Sequence, residues 1–150
     1  MKKLISHRGN IEGPDPVNEN KPEFIQKALA AGFDVELDVW FVENQWYLGH
    51  DEPEYLTTEK FIKTEGFWCH AKNIAAFERL LELGVVCFWH ENDKYTLTSN
   101  GYVWTYPGHK LTPASICVMP EKYAAETQDT SSCAGICTDY PLRIREILES

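Results

Sequence analysis

The stretch from residue 34 to residue 51 constrains the fold more than any other part of the sequence. Residues 35–42 are β-branched or apolar apart from two acids, which is typical of a buried strand. Because the side chains of a strand alternate between its two faces, Glu36 and Asp38 point the same way, about 7 Å apart. Leu37 faces the opposite layer. Two carboxylates this close together resist burial unless a cation lies between them.

A second predicted strand, residues 45–49, ends at His50, whose imidazole can exchange protons near neutral pH. Paired acids followed by a proton-transfer group are typical of a hydrolytic metal site. The alternative interpretation is an exposed strand edge whose acids are simply solvated.

Composition predicts one soluble globular domain over residues 1–150, with 43% hydrophobic and 25% charged residues. No apolar run is long enough to span a membrane, and Met-Lys-Lys leads directly into a strand, so no signal peptide is expected. The formal net charge of −9 argues against nucleic-acid binding, which needs a basic face. Five cysteines without a Cys-x-x-Cys pair are expected to be buried apolar residues in a reducing cytoplasm.

Strand-like and helix-like segments alternate from end to end, which predicts an α/β fold with a parallel sheet. The seven candidates for parallel strands begin near residues 4, 35, 67, 85, 102, 115 and 134. Only about four helices are indicated, with a further short one around residues 121–125. The predicted strands end in polar groups, namely His7-Arg8, Glu36/Asp38, His70/Lys72, His90-Glu91 and Thr138-Asp139. In a parallel barrel these ends form one rim, where catalytic groups converge.

Five motifs in order resemble the glycerophosphodiester phosphodiesterases, a family of (β/α) barrels. They are Ile5-Ser6-His7-Arg8-Gly9, Asn18-Glu19-Asn20, Glu36-Leu37-Asp38-Val39, Gly49-His50-Asp51 and Ala134-Gly135-Ile136-Cys137-Thr138-Asp139-Tyr140-Pro141. The resemblance implies a TIM-type barrel. Since an ordinary barrel of this type has about 250 residues, the expected fold is a compact, truncated (β/α) TIM-type barrel with several helices missing or replaced by loops. A second subunit could cover sheet that this leaves exposed.

The third strand departs from the family pattern. The family has Glu-x-Lys there, with the Glu as third metal ligand, whereas this chain has His70-Ala71-Lys72. Either His70 binds the metal, or Glu91 or Asp93 supplies the ligand, or metal binding is lost. The resemblance implies Mg²⁺ or Ca²⁺ at Glu36 and Asp38, while a nitrogen ligand would suit Mn²⁺ or Zn²⁺ better.

The resemblance also implies roles for the remaining site residues. His7 and His50 are the expected acid/base pair, with the choice between them left open. Arg8 and Lys72 are expected to bind the phosphoryl group, and Glu19 to orient the site or touch substrate.

The sequence thus predicts a cytoplasmic, metal-dependent phosphodiester hydrolase acting on a small glycerophosphodiester-type substrate of lipid metabolism. The alternative is a non-catalytic barrel that binds a phosphoryl ligand after losing the third metal carboxylate. A third interpretation keeps the chemistry but cleaves a phospholipid headgroup. It would need an exposed apolar loop, for which only Tyr55-Leu56 and Phe61-Ile62 are candidates.

Overall fold

In the part of the chain that the structure describes, ten strands form one mixed sheet that curves into a half-barrel. The structure is a computed structural model and describes residues 1–122 and 129–150. Its strands are β1 (Lys3–His7), β2 (Asp34–Val42), β3 (Gln45–Leu48), β4 (Tyr55–Thr57), β5 (Phe67–Ala71), β6 (Cys87–Phe88), β7 (Tyr95–Leu97), β8 (Val103–Thr105), β9 (Ser115–Val118) and β10 (Gly135–Thr138). Its helices are α1 (Pro22–Ala30), α2 (Glu59–Ile62), α3 (Ile74–Leu83) and α4 (Pro141–Glu149), with a 3₁₀ turn at Pro120–Lys122.

Seven strands pair in parallel, in the order β8-β9-β10-β1-β2-β5-β6. These are the seven strands predicted from the sequence. Three antiparallel strands extend the sheet, with β3 on β2, β4 on β3, and β7 on β8. Of these, β3 was predicted, whereas β4 and β7 were not.

The predicted TIM-type barrel is wrong. The described sheet is mixed and curves into a half-barrel, whereas even a truncated (β/α) barrel would be a ring of parallel strands. The small number of helices was expected, since the described residues hold four α-helices, one of them a single turn. No α-helix is described in the links from β6 to β8, from β8 to β9, or from β9 to β10. Most of the short helix predicted around 121–125 falls outside the described residues, after the 3₁₀ turn.

Local sequence signals explain the helices that do form. The Asn73 side chain accepts a hydrogen bond from Ala76 N and so caps α3, and Gly84 ends that helix with φ of 68°. Thr58 caps α2 by accepting from Phe61 N. Proline in the first turn begins α1 and α4.

The two faces of β2 separate the core from the site. Leu37 and Val39 are fully buried under the helices, whereas Glu36 and Asp38 face the inside of the half-barrel. Aromatic rings fill the floor of that interior. Trp104 lies 4.4 Å from Phe88 and 6.0 Å from Trp68 between ring centroids, so the polar groups above rest on a packed apolar base.

All five cysteines are free and buried, as expected from the sequence. Burial raises the pKa of the Cys69 and Cys137 thiols, so these two side chains stay protonated and behave as small apolar groups. Among the described residues, no helix combines the length and apolar character needed to cross a lipid bilayer.

Candidate active site

Strands β2 and β5 bring Glu36, Asp38 and His70 together inside the half-barrel. The parallel register pairs Asp38 with His70. His70 Nδ1 lies 3.1 Å from Asp38 Oδ1 and 3.6 Å from Glu36 Oε2, and the ligand atoms of all three residues lie within 4.8 Å of one another. The glutamate and aspartate are 3% and 0% exposed. This is a buried, acidic cluster with one imidazole.

The cluster fits a divalent cation. Glu36 Oε1 and Asp38 Oδ1 are buried, and neither has a hydrogen-bond partner among the described residues. A buried carboxylate oxygen without a donor is costly unless a cation binds it. Two carboxylates and an imidazole are also a donor set that divalent metal ions accept.

His70 is oriented by the main chain that follows β6. Its Nε2 lies 2.9 Å from the His90 carbonyl oxygen. Because a carbonyl oxygen can only accept, Nε2 carries the proton and Nδ1 faces the carboxylates. Burial opposes the charged form of this histidine, but the contacts with Asp38 and Glu36 outweigh it and raise its pKa to about 9.

Arg8 links the parts of the site. Its backbone amide donates to the Glu36 carbonyl at 2.9 Å. Its guanidinium lies 3.2 Å from Glu19 Oε1, 3.3 Å from Asp38 Oδ2 and 2.7 Å from His50 Nδ1. Burial disfavours the ionised form of the Asp38 carboxyl, but His70 and Arg8 beside it hold its pKa well below the usual range.

His50 is delivered by a tight turn after β3. Trp40 Nε1 donates to the Gly49 carbonyl at 2.7 Å, and a Cβ at Gly49 would overlap the Glu52 carbonyl oxygen. The His50 side chain is 44% exposed. Since a guanidinium only donates, the contact with Arg8 makes His50 Nδ1 an acceptor.

His7 is held by a residue that sequence reasoning did not include in the site. Its Nδ1 lies 2.7 Å from Asp139 Oδ1, and Asn10 Nδ2 donates to the same oxygen at 2.8 Å. Burial lowers the pKa of His7, but the bond to Asp139 and the charge of Glu36 outweigh it, so the pKa is raised. The Thr138-Asp139 ending of the last strand was the available sequence signal.

Asn20 and Glu19 support the cluster from the loop before α1. The Asn20 amide donates to Asp38 Oδ2 at 2.9 Å and accepts from Asp38 N at 3.0 Å. Both Glu19 oxygens are in use, one with Arg8 and the other accepting from Asp15 N at 2.8 Å. Glu19 therefore orients Arg8 in this structure. Asn20 lies in the Asn18-Glu19-Asn20 motif, but its contact with Asp38 was not predicted from the sequence.

A cavity of about 380 Å³ opens over these groups. Six of the eight predicted site residues line it, and the other two, Asp38 and Glu19, contact Arg8 at its edge. The lining residues from the sequence prediction are His7, Arg8, Glu36, His50, His70 and Lys72. The far wall comes from the ends of β6, β8 and β9 and includes Trp104, Tyr106 and Lys122.

Of the further residues that the sequence suggested for the site, some line the cavity and others do not. His90 and Glu91 line the cavity. Asp93 instead accepts from Glu91 N at 3.0 Å and lies 2.9 Å from His90 Nδ1, so its carboxylate organises the loop. Trp104 lines the cavity, whereas Trp89 packs on Phe77 beneath α3, with ring centroids 5.9 Å apart.

A larger groove of about 650 Å³ lies elsewhere, between β3, β4 and α3, and is lined by residues such as Phe41, Trp46, Leu56 and Arg79. None of the predicted site residues lines it, so size alone does not identify the functional cavity.

No protein-family model, curated protein or solved structure matches this chain. An assignment of function therefore rests on the geometry of the smaller cavity and on the five sequence motifs.

Proposed function

We propose that this chain is a metal-dependent phosphodiester hydrolase that acts on glycerophosphodiester-type substrates, as its motifs suggest. One observation carries the proposal. One cavity brings together groups from strands far apart in sequence. They are two histidines, an arginine, a lysine and the cluster of two carboxylates and an imidazole that could hold a cation. Neutralising phosphoryl charge, activating a hydroxyl and protonating a leaving alkoxide require this combination of groups.

Glu36, Asp38 and His70 would hold the metal ion. When bound, it would supply positive charge against the phosphoryl oxygens and lower the pKa of a coordinated hydroxyl. The protein's own side chains would carry out the proton transfers and bind the phosphoryl group.

His7 supplies the proton in this mechanism. Asp139 accepts from its Nδ1, which leaves Nε2 for the reaction, and the same contact raises the pKa of His7 and so favours the protonated ring. His7 therefore suits the general acid that protonates the leaving alkoxide. The ion pair with Asp139 preserves the charge and the ring orientation, as a carboxylate does for the histidine of a catalytic triad.

His50 accepts the proton from the nucleophile, which is either a hydroxyl of the substrate's own alcohol or a water. In this structure its Nδ1 accepts a hydrogen bond from Arg8. When Arg8 donates to the substrate phosphate instead, the lone pair on His50 Nδ1 becomes available as a base.

Arg8 and Lys72 anchor the phosphoryl group, Arg8 as a fork and Lys72 as a point charge. The cavity volume of about 380 Å³ is in the range of small-molecule sites. Trp104 and Tyr106 would pack against the alcohol part of the substrate. The five buried free thiols agree with work in a reducing cytoplasm.

A non-catalytic phosphoryl-binding role is the second candidate. The observation in its favour is the raised pKa of His70, because a protonated imidazole can neutralise Glu36 and Asp38 without any metal ion. Such a protein would bind phosphodiesters but would not cleave them.

Hydrolysis of a panel of glycerophosphodiesters separates the two candidates. Metal would be stripped from the purified protein and returned one ion at a time, with His7→Ala as the inactive variant. His109→Ala is the matched control, since His109 lies against Tyr95 and does not line the cavity. We expect turnover that needs a divalent ion and is lost only in His7→Ala. Phosphodiester binding without turnover in the presence of any ion would instead support the binding role.

A further inference from the structure

We infer that the Glu36, Asp38 and His70 site is built for a first-row transition-metal ion, Zn²⁺ or Mn²⁺, in preference to Mg²⁺ or Ca²⁺. The inference rests on the proposed function only in that a divalent cation is bound. Binding is measured without substrate, so the two can fail separately.

The donor set is the first argument. Mg²⁺ and Ca²⁺ are hard ions that take oxygen ligands, whereas an imidazole nitrogen suits the borderline transition-metal ions. The register of β2 and β5 puts an imidazole next to the two carboxylates, with His70 Nδ1 3.1 Å from Asp38 Oδ1. Both carboxylates come from β2, and His70 on the neighbouring strand β5 supplies the third ligand position.

The orientation of His70 is the second argument. Metal-binding histidines usually donate their other ring N–H to a carbonyl or carboxylate, which fixes the tautomer and aims the lone pair. His70 Nε2 donates to the His90 carbonyl at 2.9 Å. Its ring also stacks on Phe88, with centroids 5.0 Å apart and planes 15° apart. The side chain is thus fixed in the orientation that a ligand through Nδ1 requires.

The buried oxygens facing the site are an independent observation. Glu36 Oε1 and Asp38 Oδ1 lack hydrogen-bond partners among the described residues, although both side chains are more than nine-tenths buried. Asn20 meanwhile donates a hydrogen bond to the other oxygen of Asp38, which also lies 3.3 Å from Arg8 Nε. Glu36 Oε1 is therefore left for a ligand, and Asp38 Oδ1 makes no hydrogen bond but lies 3.1 Å from His70 Nδ1, the third proposed ligand atom.

Among the described residues, the ligand atoms that lie within 4.8 Å of one another are those of Glu36, Asp38 and His70, and Glu91, which lines the cavity, does not belong to this group. Asp93 is engaged by His90 and by the Glu91 amide. Cys69, next to His70 in sequence, faces the apolar layer under the helices, and burial raises the pKa of its thiol. The site is therefore one of nitrogen and oxygen donors.

Titration calorimetry of the metal-stripped protein with each ion alone tests the inference. We expect Zn²⁺ to bind more than about a hundredfold more tightly than Mg²⁺ or Ca²⁺, with Mn²⁺ between them. His70→Glu restores an all-carboxylate site, so Zn²⁺ affinity should fall by about tenfold to a hundredfold and Mg²⁺ or Ca²⁺ affinity should rise. Equal affinities for Zn²⁺ and Mg²⁺ in the natural protein would overturn the inference.

His90→Ala is the matched control, because it removes a neighbouring imidazole but keeps the main-chain carbonyl that orients His70. It should retain the preference for Zn²⁺. Loss of Zn²⁺ binding in this variant would make His90 the ligand and overturn the assignment to His70. If His70→Glu does not fold, His70→Gln replaces it in the test, with its fold checked by circular dichroism. His70→Gln should bind no ion tightly. Tight Zn²⁺ binding without hydrolysis of any diester would leave this inference standing and refute the proposed function.

Discussion

His7 Nδ1 and Asp139 Oδ1 lie 2.7 Å apart, which joins the end of β1 to the residue after β10. The two residues are 132 positions apart in the chain, but β1 and β10 are neighbours in the sheet. The contact sets the tautomer of His7 and stabilises its charged form, so it links the topology of the sheet to the proposed proton donor.

Asp139→Asn should lower kcat by about tenfold to a thousandfold with little change in KM, because the amide neither stabilises the imidazolium nor fixes its tautomer. The pKa of His7 should fall, since its carboxylate partner is lost. The alkaline limb of the pH–rate profile, where the acid loses its proton, should move to lower pH. An unchanged profile would show that Asp139 does not act through His7.

The same pair should make stability depend on pH. The pKa of His7 is raised above 6.5 and that of Asp139 is lowered below 3.8. The His7 contribution is complete below pH 6.5 and is lost as pH rises through its folded-state pKa. The Asp139 contribution is present above pH 3.8 and is lost as pH falls through its lowered pKa.

Urea unfolding of metal-free natural protein and Asp139→Asn measures this dependence. The free energy of unfolding should differ most between about pH 4 and pH 6.5, by about 1–3 kcal/mol. The difference should shrink on both sides of that window. A difference that keeps increasing above pH 7 would contradict the ion pair.

Asn20→Ala should destabilise the protein by about 1–3 kcal/mol, because it leaves Asp38 N and Oδ2 without their partner in a buried site. Asn20 has φ of 68°, a left-handed conformation that costs alanine a further ~1 kcal/mol. Asn20→Gly removes the side-chain amide without that strain. The difference in the free energy of unfolding between the two variants therefore measures the cost of the left-handed backbone conformation. Denaturant unfolding gives both values, and a neutral Asn20→Gly would refute the supporting role.

Arg8 and Glu19 should act as a unit. Arg8→Lys loses the fork that contacts Glu19, Asp38 and His50, and kcat/KM should fall by about tenfold to a hundredfold. Glu19→Gln should have a smaller effect of the same kind. In a double-mutant cycle the two effects should be clearly less than additive, because Glu19 works through Arg8. Additive losses would instead favour direct contact between Glu19 and substrate.

Local sequence signals predicted those parts of the molecule that depend on local geometry. The alternation of a strand placed Glu36 and Asp38 on one face and Leu37 on the other. The Asn73 cap and Gly84 bound α3 because they satisfy main-chain groups at the two helix ends, which is also a local effect. The strands β4 and β7 were missed because each has three residues, too few to show an alternating pattern.

The barrel prediction failed for a related reason. A repeating order of strands indicates parallel pairing, but it does not say whether each link holds a helix or how the sheet ends. The links on either side of β9 contain no described α-helix, and antiparallel strands lie at the edges instead. Sequence order alone could not decide between a closed barrel and a half-barrel.

By itself the sequence determined which residues could do chemistry, since the pair of acids, the histidines and Arg8 follow from residue type and strand period. Only the tertiary structure decided their partners. Asp38 meets His70 through the register of β2 and β5, His70 meets the His90 carbonyl, and His7 meets Asp139. These contacts join segments far apart in the chain, so strand pairing and core packing set them, and no local pattern encodes the result.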